Sequence, residues 1–309
     1  MDEKDYFIYS FCYGEFVEGE IMDANRTRHN STRNSDRNFN DDIQREAALK
    51  RVHEVFGEVQ VVKTPDRVVK DSELTSFKDS WKAAEPDLQH RVVDVQLENL
   101  HHGIIDPVFG TLAAALKIIP EQSFSLLDVA CASGYYNEVI RTLDPRTIKY
   151  QGSDYSQKMI AKARETYPDV SFDVQDLTQL TYADDCVDVC LVSGVLEHIP
   201  DYHRAIRECC RVAKKWVIVH RGFVNTGRKT ESALVSQYNI VTPRTCLAER
   251  ALVSEFNDQG FSLEQMLDVY PGATPARNWK TPIKALLRAL GVWPTFKVTR
   301  TYLFRGSRS

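Results

Sequence analysis

From Ser125 onward the hydrophobic positions alternate between short continuous runs and one-sided stripes. Ser125–Ala130, Lys149–Ser153, 170–174, Val187–Val192 and Trp216–Val219 read as strands. Between them, 134–143 keeps Tyr135, Val139 and Leu143 on one face, and 156–166 opens on Ser156 as N-cap. Residues 201–213 open on Asp201 and align Tyr202, Ala205, Ile206 and Cys209. Apolar strands separated by amphipathic helices predict an α/β fold whose parallel sheet is covered on both faces.

Upstream, 87–101 predicts an amphipathic helix carrying Val93, Leu97 and Leu100, bounded by Pro86 and Gly103. Asp106 and Pro107 supply the N-cap and first position of the next helix. Its stripe is Val108, Leu112, Ala115, Leu116 and Ile119, and Pro120 stops it. Downstream, a helix near 246–259 ends at Gly260 and a strand follows at Phe261–Val269. A short basic helix is expected at 282–290, and Val298–Arg305 alternates as a final strand.

The first 60 residues differ. Tyr6–Phe16 is aromatic-rich and reads as a short hairpin or a packed arm. Residues 22–41 are dominated by Asn, Arg, Ser and Asp, too polar to offset their ordering entropy, and are expected to be a flexible loop. A helix at about 41–56 and an extended run at Val59–Val62 follow. The division expected is a 1–104 extension or lid and a 105–309 catalytic unit, whose 222–246 segment is an unusually long loop.

Composition narrows the classes. Hydrophobic residues are 43% and charged residues 27% of the 309, which excludes collagen-like, low-complexity and wholly disordered chains. A net charge of −4 gives no support to a nucleic-acid backbone binder. No run of apolar residues is long enough to span a bilayer, and the N-terminus lacks the pattern of a secretory signal, so a cytoplasmic protein is expected. The seven cysteines lie mostly in apolar segments and read as reduced thiols. No metal site is expected: Cys186 and Cys190 lie in or near a strand, and Cys209 and Cys210 point to different helix sides.

The chemistry gathers at the strand ends, where open α/β sheets bind ligands. The first strand and turn read Leu126-Leu127-Asp128-Val129-Ala130-Cys131-Ala132-Ser133-Gly134. Small residues there let a nucleoside lie close to the backbone. Asp154 ends the second strand, 20 residues past Gly134, where a carboxylate can accept from ribose hydroxyls. Asp176 follows the third strand, where it can accept from an exocyclic amine. The fourth strand leads into Ser193-Gly194-Val195-Leu196-Glu197-His198.

This series resembles the class I S-adenosylmethionine-dependent methyltransferases, small-molecule branch, well over about 105–220. The resemblance implies a Rossmann-like, seven-stranded, mostly parallel sheet with an antiparallel last strand, preceded by a helical extension. It implies S-adenosylmethionine as cofactor, with Asp128, Ala130, Ser133 and Gly134 in the first motif. Asp154 would hold the ribose, Tyr155 the adenine face, and Asp176 with Leu177 the adenine edge. Val195-Leu196-Glu197-His198 resembles the fourth-strand motif, and Ser193 and Val195 would contact the cofactor. The family usually has glycine where this chain has Ala130 and Ala132. The expectation is therefore a turn of ordinary dihedrals, or a cofactor seated slightly further out.

Two histidines at the sheet edge suit a general base, His198 and His220. Glu197 reads as an orienting carboxylate or an ion-pair partner, and His220-Arg221 as an acceptor-binding or a structural pair. In the 222–246 loop, Arg228, Tyr238, Asn239 and Arg244 are candidates for acceptor recognition; the loop reads alternatively as a dimer contact or a cover. Phe77 and Trp81 read as a cofactor cover or as packing on the sheet. Methyl transfer to oxygen or nitrogen of a small molecule, possibly a sugar or natural-product intermediate, is the leading expectation. The alternatives are a non-catalytic interaction protein on a cofactor fold, motivated by the two alanines, and a nicotinamide-dependent oxidoreductase, disfavoured by the single glycine of the first turn.

Overall fold

The computed structural model describes residues 71–237, 240–270 and 296–307. The elements expected within 1–60, the helix expected at 282–290, and Tyr238 and Asn239 lie outside the described residues.

Among the described residues, nine strands form one sheet. They are β1 Ser123–Val129, β2 Thr147–Asp154, β3 Ser171–Val174, β4 Val187–Ser193, β5 Ala213–Asn225, β6 Glu231–Gln237, β7 Ile240–Ala248, β8 Phe261–Asp268 and β9 Lys297–Gly306. The order β3-β2-β1-β4-β5 is parallel throughout. β9 then pairs antiparallel with β5, and β8 antiparallel with β9. These seven strands are the sheet that the alternating pattern and the resemblance anticipate.

Six longer helices among the described residues cover it: α1 Pro86–His101, α2 Pro107–Ile118, α3 Tyr136–Leu143, α4 Gln157–Thr166, α5 Tyr202–Val212 and α6 Glu249–Asp258. On one face Leu97, Leu112, Leu116, Tyr136 and Ile160 meet Leu126, Leu191 and Ile218 of the strands. On the other, Ile206, Cys209, Leu252 and Phe256 meet Leu127, Val129, Cys190, Val192, Val217 and Val219. Neighbouring strand residues thus serve opposite cores, as the two-residue period requires. The expected caps form: Asp106 accepts from the Val108 N–H at 2.8 Å, Ser156 from Met159 at 3.4 Å and Asp201 from Arg204 at 3.1 Å.

The 222–246 segment is not a loop. β5 runs on to Asn225, and β6 and β7 form an antiparallel hairpin. β7 also pairs in parallel with the end of β5, through Val224 with Leu247 and Asn225 with Ala248. The physical reason is backbone satisfaction: Thr242, Thr245, Cys246, Leu247 and Ala248 are buried, and a buried segment must pair its N–H and C=O groups. Residues 246–248 belong to this strand, so the following helix starts at Glu249 rather than 246.

Two glycines should respond oppositely to alanine. A Cβ on Gly152 of β2 would lie 2.7 Å from the Phe172 ring and 2.8 Å from the Cys131 sulfur. Gly152→Ala is expected to lose about 1–3 kcal/mol by overpacking. A Cβ on Gly110 in α2 meets only Ile105, at 3.7 Å. Gly110→Ala is expected to gain about 0.5–1 kcal/mol of helix stability. Urea denaturation of both variants measures the contrast.

Candidate active site at the carboxyl edge of the sheet

The turn after β1 carries left-handed backbone at three positions: φ is 59° at Ala130, 50° at Ala132 and 76° at Gly134. The expectation of ordinary dihedrals is corrected by these values. Left-handed alanine costs about 1–2 kcal/mol per residue, so neighbouring groups must hold the turn. Cys131 N–H donates to Ser153 O at 2.8 Å, Gly134 N–H to Cys131 O at 2.9 Å, and Ala132 N–H to Asp154 Oδ2 at 3.0 Å. Gly134 has a further reason to lack a side chain, since a Cβ would lie 2.5 Å from Phe172.

Asp154 therefore sits where its spacing places it, at the end of β2 and beside the first turn. Its other oxygen accepts from the Ser156 N–H at 2.8 Å. Burial raises its carboxyl to about 6 against these two bonds. Asp128 lies deeper, wholly buried, and accepts from the Tyr150 hydroxyl at 2.6 Å. Burial raises it to about 7, with the charge of Asp154 adding to the effect. Asp176 forms a tight turn after β3, accepting from the Thr178 N–H and hydroxyl, and pairs with Lys78 at 3.1 Å. Leu177 turns into the core near Leu127 and Val129. Tyr155 is half-buried, with the Lys82 ammonium 5.6 Å from its ring centre.

At the ends of β4 and β5 the register changes. Ser193 pairs with His220, and the Gly194 N–H donates to His220 O at 2.9 Å. Against β9, Val219 faces Tyr302 and Gly222 faces Arg300. His220 and Arg221 therefore stand opposite the single residue Thr301, a β-bulge. Arg221 has φ 57°, and its guanidinium lies over Gly194, where a Cβ would come within 3.3 Å of it. It also reaches the Tyr135 hydroxyl at 3.4 Å.

The two histidines are both buried. His220 contacts Thr301 Oγ1 through Nδ1 at 2.8 Å and meets the Tyr136 ring edge-on at 5.4 Å between centres. Burial first, then Arg221, holds it well below the usual histidine range. His198 donates from Nδ1 to Pro243 O at 3.1 Å, a carbonyl that can only accept, so the neutral ring keeps its lone pair on Nε2. Burial, Arg244 and Arg221 push it down to about 3. Both rings are neutral at physiological pH. Glu197 and Leu196 are buried beside His198, while Val195 is half-exposed.

Two elements close over this edge. Residues 75–83 form two short 3-10 turns, and Trp81 stacks edge-on against His198 at 4.9 Å between ring centres. Trp81 and Ala132 pack on Ala84, Met159 and Ile240. From the other side the β6–β7 hairpin brings Pro243 to His198 and buries Arg244 with its guanidinium 3.8 Å above the Phe223 ring. Arg228 is exposed on the connection from β5 to β6.

The strand ends thus bring together Asp128, Ala130, Ser133, Gly134, Asp154, Ser193, Glu197, His198, His220, Arg221 and Arg244. Tyr136, Pro243, Thr301 and Lys78 complete the surroundings. Pro243 belongs to the 222–246 segment that the sequence points to, and Tyr136 follows the first turn directly and was open to local inspection. Thr301 and Lys78 come from distant segments and carry no local signal. Buried polar atoms without a partner cluster near the first turn: Ser133 Oγ, Asn137 Nδ2 and Asp128 Oδ1. A hydroxyl, an amide donor and a carboxylate beside left-handed backbone fit the amino-acid end of S-adenosylmethionine. Among the described residues no cluster of three or more metal-ligating side chains occurs. No helix among them is long and apolar enough to cross a membrane.

Comparisons with known proteins agree. Residues 127–219 match the family described as methyltransferase domain. The chain is 32% identical to norajmaline N-methyltransferase of Rauvolfia serpentina over 38% of this chain and 47% of that protein. It is 35% identical to a ubiquinone/menaquinone biosynthesis C-methyltransferase of Bdellovibrio bacteriovorus over 24% of this chain and 34% of that protein. The chain spans less than half the length of these curated relatives. Among solved structures, magnesium protoporphyrin IX methyltransferase of Synechocystis with bound S-adenosylmethionine aligns over 86% of this chain and 94% of that one. Its identity to this chain is 16% and the TM-score 0.44. Residues 127–219 thus match a methyltransferase domain, and the sequence relatives of the chain, each covered over less than half its length, are methyltransferases.

Proposed function

We propose that this chain transfers a methyl group from S-adenosylmethionine to an oxygen or nitrogen of a small molecule. The observation that carries the reading is Asp154: an acid at the end of β2 whose carboxylate also holds the first turn at Ala132 N–H. The two alanines that motivated a non-catalytic alternative keep the left-handed backbone of glycine, so the turn itself argues for a working site. Asp154 takes the ribose hydroxyls on its remaining lone pairs, Ser133 and Gly134 the methionine part, and Tyr155 and Asp176 the adenine. Ser193 and Val195 border the same edge.

The sulfonium supplies an activated methyl group. The protein's part is to align the nucleophile, exclude water and accept a proton where the nucleophile carries one. His198 and His220, both neutral, are the candidate acceptors of that proton. Arg221 and Arg244 lie near His198 and give this end of the site positive potential, which favours an acidic or hydroxylated acceptor. The β6–β7 hairpin and residues 75–84 limit its size. The acceptor's arrival from outside and the closure over it would make this edge the specificity-determining surface.

Calorimetric titration is expected to show binding of S-adenosylmethionine and S-adenosylhomocysteine and none of NAD. The absence of heat with both sulfur nucleosides would sink the reading. The pH dependence follows from Asp154, whose carboxyl lies at about 6 in the free protein. Ribose hydroxyls donate to the ionised form, so binding favours proton loss. Affinity for S-adenosylhomocysteine should be full above about pH 6 and fall as pH drops through that value. Asp154→Asn should bind weakly and lose this dependence. A wild-type affinity that stays level across the same window contradicts the assignment of the ribose to Asp154.

A further inference from the structure

His220 stands at the head of a hydrogen-bonded chain whose direction is set at its far end. The Thr111 hydroxyl donates to the carbonyl of Val108 at 2.9 Å, and a carbonyl only accepts. Thr111 Oγ1 therefore receives the Thr301 hydroxyl, at 3.2 Å. With its proton committed to Thr111, Thr301 Oγ1 accepts from His220, so the proton of the neutral ring is on Nδ1, at 2.8 Å. The lone pair is left on Nε2. That atom is buried and has no hydrogen-bond partner in the protein. An unmet buried acceptor is costly and calls for an explanation.

His220 itself stands at the carboxyl edge of the sheet. His220 pairs with Ser193 at the end of β4, and its ring abuts Tyr136, the first residue of α3 beyond the first turn. The Ser193 hydroxyl donates to the Tyr136 hydroxyl at 3.1 Å, a bond that does not involve the imidazole. The bulge contributes directly. Because His220 and Arg221 together oppose Thr301, the imidazole stands beside the threonine while the guanidinium turns to Gly194. The relay joins α2, β5 and β9, three elements far apart in sequence, and every member is buried or half-buried.

Resting on the methyltransferase reading above, we propose that Thr301 and Thr111 are positioning residues that lock His220 in its Nδ1–H form, making Nε2 the atom that takes the proton from the methyl acceptor. In the step this serves, the acceptor oxygen or nitrogen forms a bond to the methyl carbon and the carbon–sulfur bond breaks. The electron pair of that bond stays on sulfur as the thioether. The acceptor's proton passes to Nε2, so the positive charge leaves the sulfonium and appears on the imidazolium. The relay answers that charge, because Thr301 remains an acceptor for Nδ1–H in the charged form. It also blocks the other tautomer, whose Nε2 would donate and could not act as a base.

Long-range nitrogen–proton correlation spectra of the imidazoles test this without any acceptor in hand. His220, assigned through its backbone connectivity, is expected to show a protonated Nδ1 and a lone pair on Nε2. Thr301→Val should move the proton to Nε2, and Thr301→Ser should restore the wild-type pattern. Thr111→Val, which removes only the outer link, should leave a mixture. A wild-type ring protonated on Nε2, or a Thr301→Val ring unchanged from wild type, would overturn the relay. If Thr301→Val does not fold, Thr111→Val decides in its place, and an unchanged ring there overturns the proposal. Adding S-adenosylhomocysteine should shift the Nε2 resonance; calorimetric binding with no such shift removes Nε2 from the reacting edge. Failure of the nucleoside to bind at all would instead strike the methyltransferase reading, with the tautomer pattern still readable.

Discussion

The carboxylate of Asp154 ties the first two turns of the sheet together. One oxygen accepts from Ala132, in the turn after β1, and the other from Ser156, the residue that caps α4. Bonds to an ionised acceptor are stronger than neutral ones. This pair holds the chain in left-handed conformation at alanine, where two side chains would otherwise resist it. The same burial that makes the bonds strong raises the carboxyl to about 6. Stability of the turn and, in the function proposed above, recognition of the ribose thus draw on one group.

A second constraint acts at the opposite end of the edge. The bulge in β5 sets two residues against Thr301 and separates what strand alternation alone would keep in step. His220 joins the core between β5, β9 and α2, and Arg221 crosses to Gly194. Arg221 in the left-handed region is strained backbone in a bulky residue, of the kind that concentrates at functional sites. The antiparallel last strand therefore does more than complete the sheet. It supplies the hydroxyl that orients the histidine.

Two peripheral elements finish the site. Residues 75–85 run across the ends of β2 and β3, with Lys78 on Asp176, Lys82 over Tyr155 and Glu85 paired to Lys158 of α4. The β6–β7 hairpin covers the end of β4 and supplies the carbonyl that sets the His198 tautomer. Trp81 and Ile240 bring the two covers into contact beside Ala132. The exposed ion pairs of this cover contribute little individually, whereas the apolar contact of Trp81 excludes water from the turn.

The seven strands that run from β1 through β5 with β8 and β9 were legible along the chain. Its continuous apolar strands, one-sided helices and side-chain caps at Asp106, Ser156 and Asp201 are local signals, and local physics suffices to place such elements. The sequence by itself also determined which residues reach the strand ends, because strand order and the two-residue period put Asp128, Asp154, Asp176 and His198 there. The conformation of the alanine turn was not legible, since propensity argues against left-handed alanine and it is overridden by bonds from Cys131 to Ser153 and from Ala132 to Asp154 across to β2. The hairpin was hidden because a polar 222–246 segment looks like a loop until β5 offers it an edge to pair with. The tautomer of His220 was decided wholly by tertiary structure. It depends on Val108, Thr111 and Thr301, which meet only when α2 and β9 pack on β5, and no spacing along the chain encodes the direction of a hydrogen bond between them.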